Sequence, residues 1–248
     1  MKVPKGAVTG IIVIGLVVIV AYGASMRQRY RDRGELAQRI FSDGSQTIPN
    51  TIEGLRTAIG TYERRIEQHV RDAARTAMYW KILAVRLQDQ SLHQEALEAL
   101  ERAISYTPED PALHYYTGVS AGIMAKSRHV FPGGDNFARD RYFVLAEDAF
   151  LRAIELDGRY LRPRYSLAVL YVFDLDRPEE AIPHLERSLE ISRNDVDTMF
   201  VLARAFVMLR EFQAAVELYD RIITLTRDEQ KRIDAQNNRQ MVMGQMYG

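Results

Sequence analysis

The chain has 248 residues, 33 Lys+Arg against 33 Asp+Glu, and no cysteine. Zero net charge excludes a bulk basic surface for nucleic acid, and the lack of Cys excludes disulfides, thiolate metal sites and a Cys nucleophile. A composition of 47% hydrophobic and 27% charged residues is globular, and only 15 Gly and 8 Pro favour helices.

Residues 6–26 carry no charge, and the stretch Ile11–Val20 is almost entirely Ile and Val. About 20 apolar residues are enough to cross a bilayer core. Lys2 and Lys5 precede the run, and Arg27, Arg29, Arg31 and Arg33 follow it. We read residues 1–26 as a single-pass anchor in an inner or plasma membrane. A buried core helix fits poorly, because β-branched residues cover every face. A cleaved leader remains open: Ala21-Tyr22-Gly23 before Ala24 is an acceptable processing site, although the four arginines oppose export. The arginines place the rest of the chain in the cytoplasm by positive-inside counting. The short Lys-bearing N-terminal tail argues for the extracytoplasmic side.

Residues 27–50 read as a juxtamembrane stalk broken by Ser42-Asp43-Gly44-Ser45 and Pro49-Asn50. Asn50 with Glu53 resembles a capping box. Over residues 51–75 the apolar residues Ile52, Leu55, Ile59, Tyr62, Ile66 and Val70 recur at spacings of three and four and predict one amphipathic face. This is one long helix or two parted near Gln68–Arg75.

From residue 76 to 229 the chain repeats itself. Trp80, Leu83, Ala84 and Leu87 are followed by Ala96, Leu100, Ala103 and Pro108. Met199, Leu202, Ala203 and Phe206 are followed in the same way by Ala215, Tyr219 and Ile222. Leu167, Ala168, Tyr171, Ala181, Leu185 and Ser188 form another unit with one extra residue between its helices. Pro183 there is expected to kink the second helix unless it lies in the first turn. A further unit has Gly118, Ala121, Ala146, Phe150 and Ala153, with an insertion near 125–140. Asp110-Pro111 is a helix start. Thr226 with Glu229 starts a C-terminal helix over 230–248, a polar lid.

These intervals resemble the tetratricopeptide repeat, a unit of two helices, A and B. The resemblance implies an all-α fold, an α-solenoid of about four helical hairpins behind an N-terminal transmembrane helix. It makes residues 51–75 a possible degenerate half-repeat. It also implies a concave groove lined by helix A. By repeat register that groove takes Lys81, Tyr115, Tyr165 and Phe200 at one position and Val85, Val119, Val169 and Arg204 at the next. Arg162, Val172, Phe173 and Met208 take the rest. Three of the first four are aromatic, so an aromatic stripe for a peptide or partner helix is one expectation. Packing against the 51–75 helix is the other. The insertion, with Arg128, Phe131 and Phe137, is either a loop folded on its own unit or a partner contact.

No phosphate-binding loop, His-Glu-x-x-His pattern or other catalytic motif is present. The expectation is a non-enzymatic, membrane-tethered scaffold that binds protein partners to assemble or recruit a bacterial-type envelope complex. It would have no cofactor, no metal and no nucleic acid. The alternative is an exported soluble binding protein holding a peptide or small hydrophobic ligand. Oligomeric state stays open.

Overall fold

The computed structural model describes Pro49, residues 51–128 and residues 136–247. The expected anchor at 6–26, nearly all of the stalk, and Phe131 lie outside the described residues. Among the described residues no helix is long and apolar enough to cross a membrane.

The first helix, α1 (Ile52–Asp89), runs uninterrupted for 38 residues, so the stretch over 51–75 is one helix with no break near Gln68–Arg75. Its cap falls one residue later than the sequence pattern implied. The Thr51 hydroxyl accepts from the Gly54 N–H at 3.0 Å. The chain divides into two units after Glu67. In the first unit, Thr57 and Thr61 hydroxyls return bonds to the carbonyls four residues earlier, and Ile52, Leu55, Ile59 and Ile66 are exposed.

The second unit comprises the rest of α1 and eight further helices among the described residues. They are α2 (His93–Tyr106), α3 (Pro111–Arg128), α4 (Asn136–Leu156), α5 (Leu161–Val169), α6 (Pro178–Ile191), α7 (Val196–Met208), α8 (Phe212–Leu225) and α9 (Glu229–Tyr247). The pairs α3–α4, α7–α8 and α8–α9 pack extensively. Small residues at the repeat positions allow this. Ala84, Ala96, Ala121, Ala146, Ala168, Ala181, Ala203 and Ala215 are fully buried. Gly118 goes further, since a Cβ built there would lie 2.5 Å from the Phe150 ring. The large repeat residues Leu100, Leu167, Leu185, Met199 and Ile222 fill the space between hairpins. A single hairpin cannot cover them, which is why the units stack.

The turns between hairpin arms share one geometry. Ser91, Asp176 and Arg210 adopt positive φ of 61°, 54° and 61°. The following N–H groups reach back to close the helix end, Leu92 to the Leu87 carbonyl and Glu211 to that of Phe206, both at 2.8 Å. In the third repeat Arg177 reaches Tyr171, one residue farther back, at 2.9 Å. The extra residue noted in the sequence is absorbed by a π-helical turn, Leu170–Asp174, and the connecting turn is preserved.

One expectation needs correction. The insertion near 125–140 mostly lengthens helices: α3 continues to Arg128 and α4 begins at Asn136, leaving seven residues between them. Pro183 stands in the second turn of α6, not the first, yet the helix continues to Ile191. The proline is exposed, so the carbonyl it leaves unbonded, that of Glu179, faces water.

Candidate functional site

A groove of about 410 Å³ lies between α5 with its π-turn, α7, α8 and α9. Tyr165, Val169 and Phe173 come from the first of these; Phe200, Arg204 and Asp197 from α7; and Asn238, Met241 and Val242 from α9. Five residues expected from repeat register therefore meet in one place. Phe173 is 56% exposed and Met241 61% exposed. Phe200 is half-buried, its ring 6.2 Å from that of Tyr219. Burial raises the Tyr219 hydroxyl above its usual 10.0, with Arg204 opposing. Burial also raises Tyr165, helped by the Asp197 and Asp195 carboxylates. These phenols stay neutral donors at any ordinary pH. Arg204 is exposed and forms no hydrogen bond or ion pair among the described residues. The groove thus has apolar walls, an unpaired cation, an amide and the Asp197 carboxylate, which Lys231 holds.

Local chain chemistry holds these walls. Asp195 caps α7, accepting from the Asp197 N–H at 3.2 Å and the Thr198 hydroxyl at 2.7 Å. Lys231 of α9 binds Asp197 at 2.6 Å, and Arg239 binds Asp220 of α8 at 2.6 Å. Ala235 and Val242 bury the inner face of α9 against Met199, Ala203, Tyr219 and Ile222. The C-terminal helix is therefore a groove wall as well as a lid. Its overall polarity hid this, although Ala235 and Val242, seven residues apart on one face, carried the signal.

The groove continues past Tyr165 and Val169 into a smaller recess of about 180 Å³ shared with Val119, Ile123 and Lys126. Lys126 is paired there with Asp174 at 2.9 Å. The other expected residues lie outside this groove. Lys81 binds Asp110 at 2.8 Å and ties α1 to the start of α3. Tyr115 sits in a ring cluster with Tyr116, Phe150 and Tyr160, at centroid distances of 5.3, 6.2 and 5.5 Å. Burial, with help from Tyr115, pushes the Tyr160 hydroxyl up to about 12. The expected aromatic stripe thus splits, Tyr115 lying outside the large groove. Val85 and Met208 are half-buried, Val172 is buried, and Arg162 is exposed. Phe137 is 71% exposed under the Arg141 guanidinium, 5.9 Å from the ring centre.

The chemistry beyond the groove is structural. Arg177 grips Glu147 with two bonds of 3.0 Å, binds Glu180, and lies 4.7 Å above the Tyr171 ring. The Tyr171 hydroxyl donates to Glu147 at 2.9 Å. Burial first, then that bond, raises the Tyr171 hydroxyl, while Arg177 lowers the Glu180 carboxyl. This network locks the π-turn onto α4 and α6. Among the described residues no three acidic or histidine side chains are placed to hold a metal.

Residues 83–121 and 172–235 each match a family model described as tetratricopeptide repeat. The chain carries tetratricopeptide repeats. It is 20% identical over 214 residues to a "TPR repeat-containing protein" of Borreliella burgdorferi, covering 84% of this chain and 90% of that one. It is 25% identical over 146 residues to anaphase-promoting complex subunit 3 of Schizosaccharomyces pombe, spanning 59% of this chain but 19% of that protein. Among solved structures, YrrB, described as a TPR protein with an unusual peptide-binding site, superposes with a TM-score of 0.56 at 16% identity, covering 73% of this chain and 82% of YrrB. TTC0263, a TPR protein of Thermus thermophilus, gives 0.53 at 15% identity, covering 75% and 93%. At these identities the structures establish a shared repeat solenoid.

Proposed function

We propose that this chain is a non-catalytic scaffold that holds a segment of a protein partner in the groove between α5, α7 and α9. The groove itself carries this reading. Phe173 and Met241 stay exposed beside the unpaired Arg204, while Lys81, Gln88 and Tyr115 in the first two repeats are engaged within the chain. YrrB, similar in fold, has a described peptide-binding site, which fits the same use of a solenoid. The partner segment presents an apolar or aromatic side chain to Phe173 and Met241 and a carboxylate to Arg204.

The scaffold is tethered to an inner or plasma membrane by residues 6–26, on the strength of the uncharged Ile/Val run between cationic flanks. It serves to assemble or recruit an envelope complex. Two measurements test this pair of readings. A photo-crosslinking residue at Phe173 or Met241 should capture a partner from membranes, while the same residue at Glu186, exposed on α6 outside the groove, should not. Equal capture at both places refutes the groove. Intact-mass analysis of the membrane-extracted protein should retain residues 1–26; loss of the leader replaces the tether with an exported binding protein.

A further inference from the structure

We propose that two copies of this chain pair through residues 52–66 of α1 as an antiparallel two-helix coiled coil. Ile52, Leu55, Ile59, Tyr62 and Ile66 fall on alternating three- and four-residue steps, the a and d positions of consecutive heptads. Ile52, Leu55, Ile59 and Ile66 are 74%, 43%, 55% and 62% exposed in one copy. The opposite side carries Glu53, Thr57, Arg64 and Glu67, so the apolar seam is one-sided. β-branched Ile at a, with Leu and Tyr at d, is a pairing set for two strands. The apolar surface removed from two such seams is on the order of 1,000 Å², the lower bound for a specific interface.

Charge chooses the direction. Flanking residues at e and g set orientation in coiled coils. Antiparallel pairing centred between Gly60 and Thr61 sets Leu55 against the second copy's Ile66 and Ile59 against its Tyr62. It then places Arg56 beside the second copy's Glu63, twice by symmetry. Both residues are exposed, and neither has an ion pair among the described residues. In a parallel pair Arg56 would face Thr51 and Glu63 would face Ala58, so neither charge is answered. The antiparallel arrangement also opposes no like charges across the seam.

The chain has no cysteine, so introduced thiols report geometry without background. Full-length Leu55→Cys and Ile66→Cys chains are purified in detergent and oxidised, each alone and as an equal mixture. The mixture should give a disulfide dimer, and each alone should give at least tenfold less. A third chain, Ile66→Cys carrying Ile59→Asp, should lose the mixed dimer while keeping the helicity and melting temperature of its parent. Self-crosslinking by each single variant would make the pair parallel and overturn the proposal. No dimer at about 100 µM protein, roughly the weak end for an interface of this size, overturns it too. Lowered stability of the Ile59→Asp chain with monomeric mass would assign the face to residues 27–48 of the same chain instead.

Discussion

Gly118 and Gly122 stand four residues apart on α3, yet the structure gives their alanine variants opposite signs. In an exposed or roomy helical position, Gly→Ala stabilises by about 0.5–1 kcal/mol, through the unfolded chain's lost freedom and better helix propensity. Gly122 has nothing within 4 Å of a built Cβ, so Gly122→Ala should gain that amount. At Gly118 the same Cβ meets Phe150 ring carbons at 2.5, 2.6 and 2.9 Å. Phe150 is 4% exposed and wedged in the main core, so the ring has little room to withdraw. Overpacking of this kind costs about 1–3 kcal/mol. The difference between the two variants should therefore be about 1–3 kcal/mol. At roughly 2–4 °C per kcal/mol for a chain of this size, Gly122→Ala should melt about 1–4 °C above the parent and Gly118→Ala should fall clearly below Gly122→Ala. Urea unfolding followed by circular dichroism at equal m-value checks the free energies. Phe150→Leu frees the space, so adding Gly118→Ala to it should cost less than adding it to the parent. If Gly118→Ala stabilises as much as Gly122→Ala, the close approach of α3 and α4 is wrong and so is the explanation of this repeat's glycine.

Four further outcomes are expected. Tyr115→Ala should lower stability by about 2–4 kcal/mol, because its ring packs against Phe150, Tyr116 and Tyr160; Phe173→Ala, removing a ring 56% exposed, should leave melting nearly unchanged and weaken partner capture. Replacing Ser91 or Arg210 by Gly, at φ of 61°, should raise stability by about 0.5–1 kcal/mol each, since glycine adopts that conformation without strain. Burial, reinforced by Arg164, holds His184 below its ordinary 6.5. The unfolded chain then takes up its proton first, so this contribution to stability is intact above about pH 6.5 and is lost as pH falls below it; His184→Gln should flatten the melting profile there.

Repeat architecture was legible because its periodic signal is strong. Small residues recur at fixed intervals, and each one marks a place where two helices must touch, so Ala84, Gly118, Ala168 and Ala203 announce helix A of every unit. The extra residue in the third repeat was also countable, but its location was not. A loop and a π-turn satisfy the same spacing, and the choice falls to side chains far apart in sequence: Arg177, Glu147 and Tyr171 hold the turn in place. The groove was legible only by register. Register places Tyr115 and Phe200 equivalently, whereas their exposure depends on neighbours such as Tyr160 and Tyr219, which come from other elements. Asn238 and Met241 carry no repeat signal for a related reason. They lie outside the repeats, so no repeat position points to them.

The inner wall is chemically uneven, and this supports the proposed place of binding along it. In the first repeats three groups are already answered: Lys81 by Asp110, Gln88 by the Tyr116 carbonyl and the Ser120 hydroxyl at 2.8 and 2.7 Å, and Tyr115 by three rings. A partner arriving there would have to break those contacts before making its own, and buried polar groups left without partners cost more than a new hydrogen bond returns. Around α5, α7 and α9 the situation is reversed. Phe173 and Met241 face water, and Arg204 has no ion pair among the described residues. Binding there removes exposed apolar surface and supplies a missing counter-charge, with little to undo. Lys231 and Arg239, by fixing α9 to Asp197 and Asp220, hold the far wall before any partner arrives. That preorganisation reduces the ordering cost of binding. The α1 face over 52–66 belongs to the other unit and uses different residues. Pairing of copies and capture of a partner segment therefore draw on separate surfaces, and a chain altered at Ile59 should still present an unaltered groove.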